Sequence, residues 1–206
     1  MSPCKAWAVV AGRRPIASFM PELDMTLFHF SEDAAIESFT PRPVLVPSRR
    51  PPGGEWLNGP LIWAIDDWHQ PMYLFPRDCP RILIWRTAGT IAEDTERYWG
   101  TGDSRMIAFV ERSWVARLRS GSICRYELPA ETFVSLQDAG MWVSKTTVRP
   151  LRMEMITDMP AALQVHDVEL RPTDNLLGLK DFWGTSLHVS GIRLRNAEGW
   201  SDQAGH

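Results

Sequence analysis

The segment from Leu61 to Arg86 constrains the fold most, because it holds two apolar runs joined by a dense polar connection. The runs, LIWAI and RILIW, have the length and the β-branched and aromatic composition of buried strands. Between them lie three aspartates, a histidine and an arginine. Two core strands that return a polar connection to one end of a sheet form a natural wall for a ligand site. The sequence therefore predicts two core strands beside a binding site.

Chain length and composition predict one soluble globular domain. A chain of 206 residues, with 44% apolar and 23% charged residues, is typical of such domains. No segment approaches the roughly 18 apolar residues of a membrane span, so we expect no membrane partner. The net charge of −3 gives no reason to expect nucleic acid as a partner. The three cysteines are widely spaced without a CxxC pair, which favours a reduced, cytoplasmic protein.

The pattern of apolar runs predicts an α+β domain over residues 25–200, with a mixed or largely antiparallel sheet of about six strands. Residues 1–24 are expected to be a disordered extension or an upstream start, because Met25 stands immediately before the first strand-like run. Residues 41–60 carry six prolines, three glycines and three arginines, which predicts a long loop. Short helices are predicted between strands, among them residues 31–39, 129–137 and 173–196.

The first predicted strand ends in a histidine and a serine two positions apart. Side chains at that spacing share one face of a strand, so His29 and Ser31 are expected to point the same way. Such a pair can hold a ribose hydroxyl or an amide. The alternative is that His29 only hydrogen-bonds the following turn.

A second histidine follows two carboxylates in the polar connection. A carboxylate beside an imidazole fixes its tautomer and prepares a general base, so Asp67 and His69 are candidates for an acid–base pair of a hydrolase or lyase. The same residues can equally form a solvated turn. The remaining histidines are isolated in the sequence, so we expect no metal site.

The motif PRDCPR places two arginines four residues apart on a backbone stiffened by prolines. Guanidinium groups bind phosphate or carboxylate with two hydrogen bonds, so Arg77 and Arg81 are candidate ligand contacts, with structural ion pairing as the alternative. Cys79 between them is a candidate nucleophile or a packed core residue. Ser144, in MWVSKTTV, is a further candidate contact.

Five blocks resemble a bacterial family known as a domain of unknown function: LFHFSED, WAID, YLFPRDCPR, YELPAETF and WVSKTTVRP. The resemblance runs in order from about Met25 to Asn196. That family brings no assigned activity.

The order of features is also similar, more distantly, to the ADP-ribosyltransferase fold. Proteins of that fold open with a strand that bears a histidine followed by a small hydroxyl residue, as at His29 and Ser31. A Phe-x-Pro-like turn follows, as at residues 39–41, then a strand like the one at Trp63 and a helix whose aromatic residue stacks on a ring, here Tyr73. The resemblance implies a cleft for a nucleotide-like ligand of the NAD or ADP-ribose type, with arginines as phosphate contacts.

One position departs from that pattern. The fold carries a glutamate at the start of a late strand, where this chain has Met141 and Trp142. The resemblance therefore implies a transferase-like pocket without the residue that NAD-dependent transfer uses. The resulting candidate site comprises His29, Ser31 and His69 as catalytic residues and Trp63, Asp66, Tyr73, Arg77, Arg81 and Ser144 as ligand contacts.

A different class of function stays open, that of a non-catalytic interaction module. The chain contains ten tryptophans; Trp68, Trp99 and Trp183 lie beside polar clusters, and the candidates for a docking patch are Trp56, Trp68 and Trp99. If these three form one exposed patch, together with the loop at 41–60, a partner protein is the expected ligand.

Overall fold

The structure, a computed structural model, describes residues 25–45, 47, 50 and 52–200. The predicted extension at 1–24 lies outside the described residues. Those residues form ten strands and three α-helices, joined by loops and short 3-10 helices. The α-helices are α1 (Ala92–Trp99), α2 (Val115–Ser120) and α3 (Met159–Val165). The 3-10 helices are Glu55–Asn58, Gln70–Tyr73, Arg112–Trp114, Leu177–Gly184 and Leu194–Asn196.

The strands build two sheets, and every pairing is antiparallel except one. The strands are β1 (Leu27–Ser31), β2 (Ile62–Asp66), β3 (Arg81–Trp85), β4 (Met106–Glu111), β5 (Ile123–Leu128), β6 (Val134–Ser135), β7 (Met141–Ser144), β8 (Arg152–Ile156), β9 (Val168–Thr173) and β10 (His188–Ile192). The larger sheet has the order β6-β7-β2-β1-β5-β8, and the smaller has the order β10-β3-β4-β9, with β4 and β9 parallel. The α+β class and the largely antiparallel sheet are confirmed.

Strands β3 and β4 are buried at every position, which explains their unbroken apolar sequences. Alternate residues face opposite sides of the sheet. Leu83 and Trp85 pack into one apolar cluster, while Ile82 and Ile84 pack into a second one on the other face. The small sheet therefore lies between two hydrophobic cores.

The two apolar runs of the 61–86 segment lie in different sheets. LIWAI forms β2, next to the centre of the larger sheet, and RILIW forms β3, in the smaller one. Each run is buried and strand-forming on its own, so the sequence pattern does not reveal that they do not share a sheet. The polar connection consequently passes from one sheet to the other, through the 3-10 helix Gln70–Tyr73.

Three predicted helices are wrong, in whole or in part. After β1, the Ser31 hydroxyl accepts a hydrogen bond from the Asp33 amide and the Asp33 carboxylate accepts one from the Ala35 amide, so side chains form turns where a helix was expected. Residues 129–137 form a turn and β6 instead. Residues 173–196 contain 3-10 turns and strand β10 instead of one helix. Strand β10 forms because it pairs with β3, which lies about 100 residues earlier in the chain. Within the described part of the chain, no helix combines the length and apolar character that crossing a membrane requires.

Candidate functional site

Strands β1 and β2 pair over only two positions and then separate. Their register ends at Phe28 and Ile65, although β1 stays paired with β5 along its whole length. Beyond that point the side chain of His29 links the two strands, because its Nδ1 lies 2.8 Å from the main-chain oxygen of Trp63. A cleft therefore opens within the larger sheet, between neighbouring strands.

The cleft is small and mostly aromatic. Its volume is about 70 Å³, whereas pockets that hold a drug-sized ligand measure roughly 300–1,000 Å³. It therefore has room for part of a nucleotide-like molecule, such as the edge of one ring. None of the residues that line it is acidic: they are Phe28, His29, Phe30, Trp63, Ala64, Ile65, Tyr73 and Met141.

His29 is held as a neutral hydrogen-bond acceptor. Burial lowers the pKa of His29, the hydrogen bond to the Trp63 carbonyl acts in the opposite direction, and the charges of Arg77 and Arg42 lower the pKa further. A carbonyl oxygen can only accept, so the neutral ring carries its proton on Nδ1 and leaves Nε2 as the acceptor. The ring packs against Phe39 with the two centroids 4.7 Å apart.

Tyr73 forms the opposite wall of the cleft. It ends the 3-10 helix that follows β2, and its ring lies stacked with that of Phe30 at a centroid distance of 6.2 Å. Its hydroxyl donates to the sulfur of Met141 at 3.5 Å. Burial raises the pKa of Tyr73, so the phenol stays protonated at neutral pH. Met141 occupies the position where the resemblance implies an acid, and it serves here as a wall and a hydrogen-bond acceptor.

The end of β1 contacts the PRDCPR loop. Ser31 is 3% exposed, and its hydroxyl oxygen lies 3.4 Å from Nη2 of Arg77. The Arg77 amide donates to the carboxylate of Glu32 at 3.0 Å. The Arg77 side chain itself is exposed, and no ion pair joins it to a carboxylate of the described residues. Its guanidinium group is therefore available beside His29, whose pKa it lowers.

Arg81 is placed differently from Arg77, although both belong to the same motif. It is 3% exposed, and it donates from Nε to the oxygen of Met72 at 2.7 Å and from Nη1 to that of Cys79 at 2.9 Å. Burial lowers the pKa of Arg81 to about 10. It lies under the Tyr73 ring, 5.6 Å from the centroid, and does not line the cleft. Arg81 thus supports the wall that Tyr73 forms.

The candidate nucleophile Cys79 is fully buried. Burial raises the pKa of Cys79 to about 12, so its thiol stays protonated at neutral pH. A thiol nucleophile at this position is therefore excluded, and Cys79 packs in the core.

His69 lies outside the cleft and pairs with a different aspartate from the one expected. Oδ1 of Asp66 accepts from both the backbone amide and Nδ1 of His69, each at 2.8 Å. Asp67 instead accepts from the Gln70 side chain at 2.6 Å. The predicted Asp67–His69 pair is therefore corrected to Asp66–His69, because a carboxylate three residues before an amide reaches it in a tight turn. The imidazole packs edge-on against Trp85.

Ser144 also lies outside the cleft. It is 2% exposed, its hydroxyl oxygen accepts from the Thr146 amide at 3.1 Å, and it lies 2.9 Å from the Thr132 hydroxyl. These contacts close the turn after β7.

The three tryptophans proposed as a docking patch do not share one exposed surface. Trp56 and Trp68 are exposed, but Trp99 is buried and donates from its indole nitrogen to the Ser104 oxygen at 2.6 Å. Trp56 lines a separate groove of about 510 Å³ beside β6 and β7, where the Lys145 ammonium lies 5.5 Å from its ring centroid.

One feature of the site was not found by sequence reasoning. Arg50, in the loop at 41–60, lies over Trp63 with its guanidinium carbon 5.7 Å from the ring centroid. Arg50 Nε and Trp63 Nε1 are both buried, and neither has an acceptor among the described residues. Three arginines in a proline-rich loop were a signal of positive charge, but the sequence does not show which of them reaches the sheet.

No group of three or more histidine, cysteine, aspartate or glutamate side chains in the described ranges is arranged to hold a metal ion.

No curated protein and no solved structure matches the chain significantly. The model of one family, described as a family of unknown function (DUF6886), matches residues 28–197, which is most of the chain. The protein therefore belongs to the DUF6886 family.

Proposed function

We propose that the cleft between β1 and β2 binds a nucleotide-like ligand of the NAD or ADP-ribose type. One observation carries the proposal: His29 and Tyr73, which are far apart in the sequence, line the same opening in the larger sheet. Arg77 contacts Ser31 two residues beyond His29, so a guanidinium group without a carboxylate partner among the described residues lies next to that opening.

The chemistry of the lining suits different parts of such a ligand. The aromatic side chains of Phe30, Trp63 and Tyr73 offer flat apolar surfaces for a base or nicotinamide ring. Nε2 of His29 can accept a hydrogen bond from a ribose hydroxyl. Because the cleft holds only about 70 Å³, the charged part of the ligand would stay outside, where Arg77 can neutralise phosphate.

The proposal is one of binding, with His29 and Ser31 as positioning residues. Met141 replaces the expected glutamate, and no carboxylate lines the cleft, so the lining offers no acid to orient an attacking group. Arg81 is not part of the proposed phosphate contact, because two of its donors already bind main-chain oxygens.

Isothermal titration calorimetry with NAD, ADP-ribose and adenosine tests this function. The variants His29→Ala and Arg77→Ala are each expected to weaken ADP-ribose binding by about tenfold or more, the loss expected for one hydrogen bond to a charged or buried partner. Arg112→Ala is the matched control, since Arg112 is an exposed arginine paired with Asp174. The proposal would be ruled out if the wild-type protein bound none of these ligands, or if both cleft variants bound ADP-ribose as tightly as the wild type does.

The alternative of an interaction module is favoured by one observation, the groove at Trp56. Its lining combines apolar residues with Lys145, and Val134 on the short edge strand β6 is largely exposed. Such a groove can receive an extended peptide. Selection of a peptide library on the wild-type chain, with counter-selection on Trp56→Ala, should then return Trp56-dependent binders. A selection that returns none would dismiss this alternative.

A further inference from the structure

Two buried hydrogen-bond donors lie on the neighbouring side chains of Trp63 and Arg50. Nε1 of Trp63 and Nε of Arg50 have no acceptor among the described residues, and the guanidinium group lies over the indole ring. Nearly all buried polar groups in proteins are paired, so two unpaired donors on two side chains in a cation–π contact are unusual. The pair indicates an acceptor that the described residues do not supply, which a bound ligand can provide.

The chemistry of the two groups restricts what that acceptor can be. An indole N–H and a guanidinium N–H only donate, and the guanidinium group carries a full positive charge. An acceptor oxygen can satisfy both groups, and one with negative charge is favoured because it also neutralises the guanidinium group, whereas a cation does neither. The charge of Arg42, which together with Arg77 lowers the pKa of His29, adds to the positive potential around the cleft.

The position of Trp63 connects these donors to the cleft. Its ring lines the opening, and its main-chain oxygen accepts from His29. A ligand bound in the cleft therefore contacts Trp63, the residue that carries one of the two unpaired donors.

We propose that Trp63 Nε1 and Arg50 Nε together bind one anionic oxygen group, the phosphate of the ligand that the cleft receives. The identity of this ligand rests on the proposed function, but the anion site itself rests on the two unpaired donors. It also gives the loop at 41–60 a role, since that loop supplies Arg50.

The experiment follows the indole N–H of Trp63 by NMR in the ¹⁵N-labelled full chain. Its signal is one of ten and is assigned by its loss in Trp63→Phe, which keeps an aromatic ring and removes the donor. Three probes are titrated separately: ADP-ribose, adenosine and inorganic phosphate. Arg50→Met removes the charged donors and keeps an unbranched stem, and Arg112→Met is the control at an exposed arginine elsewhere.

We expect ADP-ribose and inorganic phosphate to move the Trp63 indole proton downfield, and adenosine to leave it in place. The affinity for ADP-ribose should fall by about tenfold in Arg50→Met or Trp63→Phe. The double variant should lose less than the product of the two single losses, because both groups bind the same oxygen group. Adenosine binding should not change in Arg50→Met, because Arg50 does not line the cleft.

The outcomes separate this inference from the proposed function. If ADP-ribose binds but the indole signal does not move and the variants bind normally, the anion site is overturned and the nucleotide cleft stands. If phosphate moves the signal in an Arg50-dependent way while neither ADP-ribose nor adenosine binds, the anion site stands and the nucleotide function falls. If none of the three probes has an effect, both are wrong.

Discussion

The imidazole of His29 donates a hydrogen bond to the main-chain oxygen of Trp63 at the point where β1 and β2 stop pairing. A side chain thereby replaces a ladder hydrogen bond of the sheet. The separation of the strands is stabilised without an unpaired carbonyl, and the opening persists as a cleft. The same hydrogen bond fixes the tautomer of the ring.

This arrangement predicts that acid destabilises the fold. The pKa of His29 is lowered from 6.5 mainly by burial, and burial also lowers the pKa values of His166 and His188. Because the unfolded chain takes up protons first, the stabilisation is complete above about pH 6.5 and is lost as the pH falls toward the lower folded-state values. Urea unfolding between pH 8 and pH 5 should show a falling free energy of unfolding. His29→Asn should flatten the curve, and an unchanged slope would contradict the assignment.

Gly140 is predicted to be essential for the turn that holds His69. It has a φ of +69°, and a Cβ there would lie 2.2 Å from Nδ1 of His69 and 2.7 Å from Oδ1 of Asp66. Gly140→Ala should therefore lower the free energy of unfolding by more than about 2 kcal/mol, through backbone strain together with loss of the Asp66–His69 contact. Gly199→Ala is the matched control, because Gly199 has a φ of +70° and a Cβ there would lie 3.8 Å from Cδ2 of Leu177, an ordinary contact distance. It should cost only about 1 kcal/mol. The prediction would be contradicted if the two variants lost the same free energy of unfolding, since the clash at His69 would then cost nothing.

The same substitution is predicted to destabilise the fold strongly at Arg81 and hardly at all at Arg77. Arg81→Gln should destabilise the fold by about 3 kcal/mol or more, because it leaves the Met72 and Cys79 oxygens without their charged donor. Arg77→Gln should change the free energy of unfolding by less than about 0.5 kcal/mol, since that side chain is exposed. Urea denaturation measures both. A stable Arg81→Gln protein would mean that water satisfies the two carbonyls.

Cys79 is predicted to resist thiol reagents in the folded state. Burial raises the pKa of Cys79 to about 12 and also raises the pKa of Cys124, so almost no thiolate forms at pH 8. In a Cys4→Ser variant, reaction with a disulfide reagent should be slow in buffer and rapid in denaturant. Fast modification of Cys79 in the folded protein would contradict its placement in the core.

The sequence was informative where the signal is local. The runs LIWAI and RILIW are rich in apolar residues, and both became strands with mostly buried residues. It failed where a distant partner decides the structure, as at 188–192, which becomes a strand only by pairing with 81–85. It also failed where side chains capture backbone amides, as Ser31 and Asp33 do in place of the predicted helix.

The candidate site shows the same difference between local signals, which the sequence carries, and long-range contacts, which it does not. His29 was a candidate because it ends a predicted strand, and Trp63 and Tyr73 were candidates through the resemblance; the structure brings all three together at the cleft. The sequence could not distinguish Arg77 from Arg81, because the same motif carries both and only the fold decides which one is buried. Arg50 and Met141 were not chosen as site residues, since their role depends on which loop and which strand end lie beside β2.

Both sheets close across long stretches of chain. Strand β1 pairs along its whole length with residues 123–128, and β3 acquires its outer neighbour only from residues 188–192. During synthesis, two apolar strand edges therefore stay uncovered until most of the polypeptide has left the ribosome. Fragments that stop before residue 188 should aggregate when expressed, and slow translation should reduce the yield of native protein.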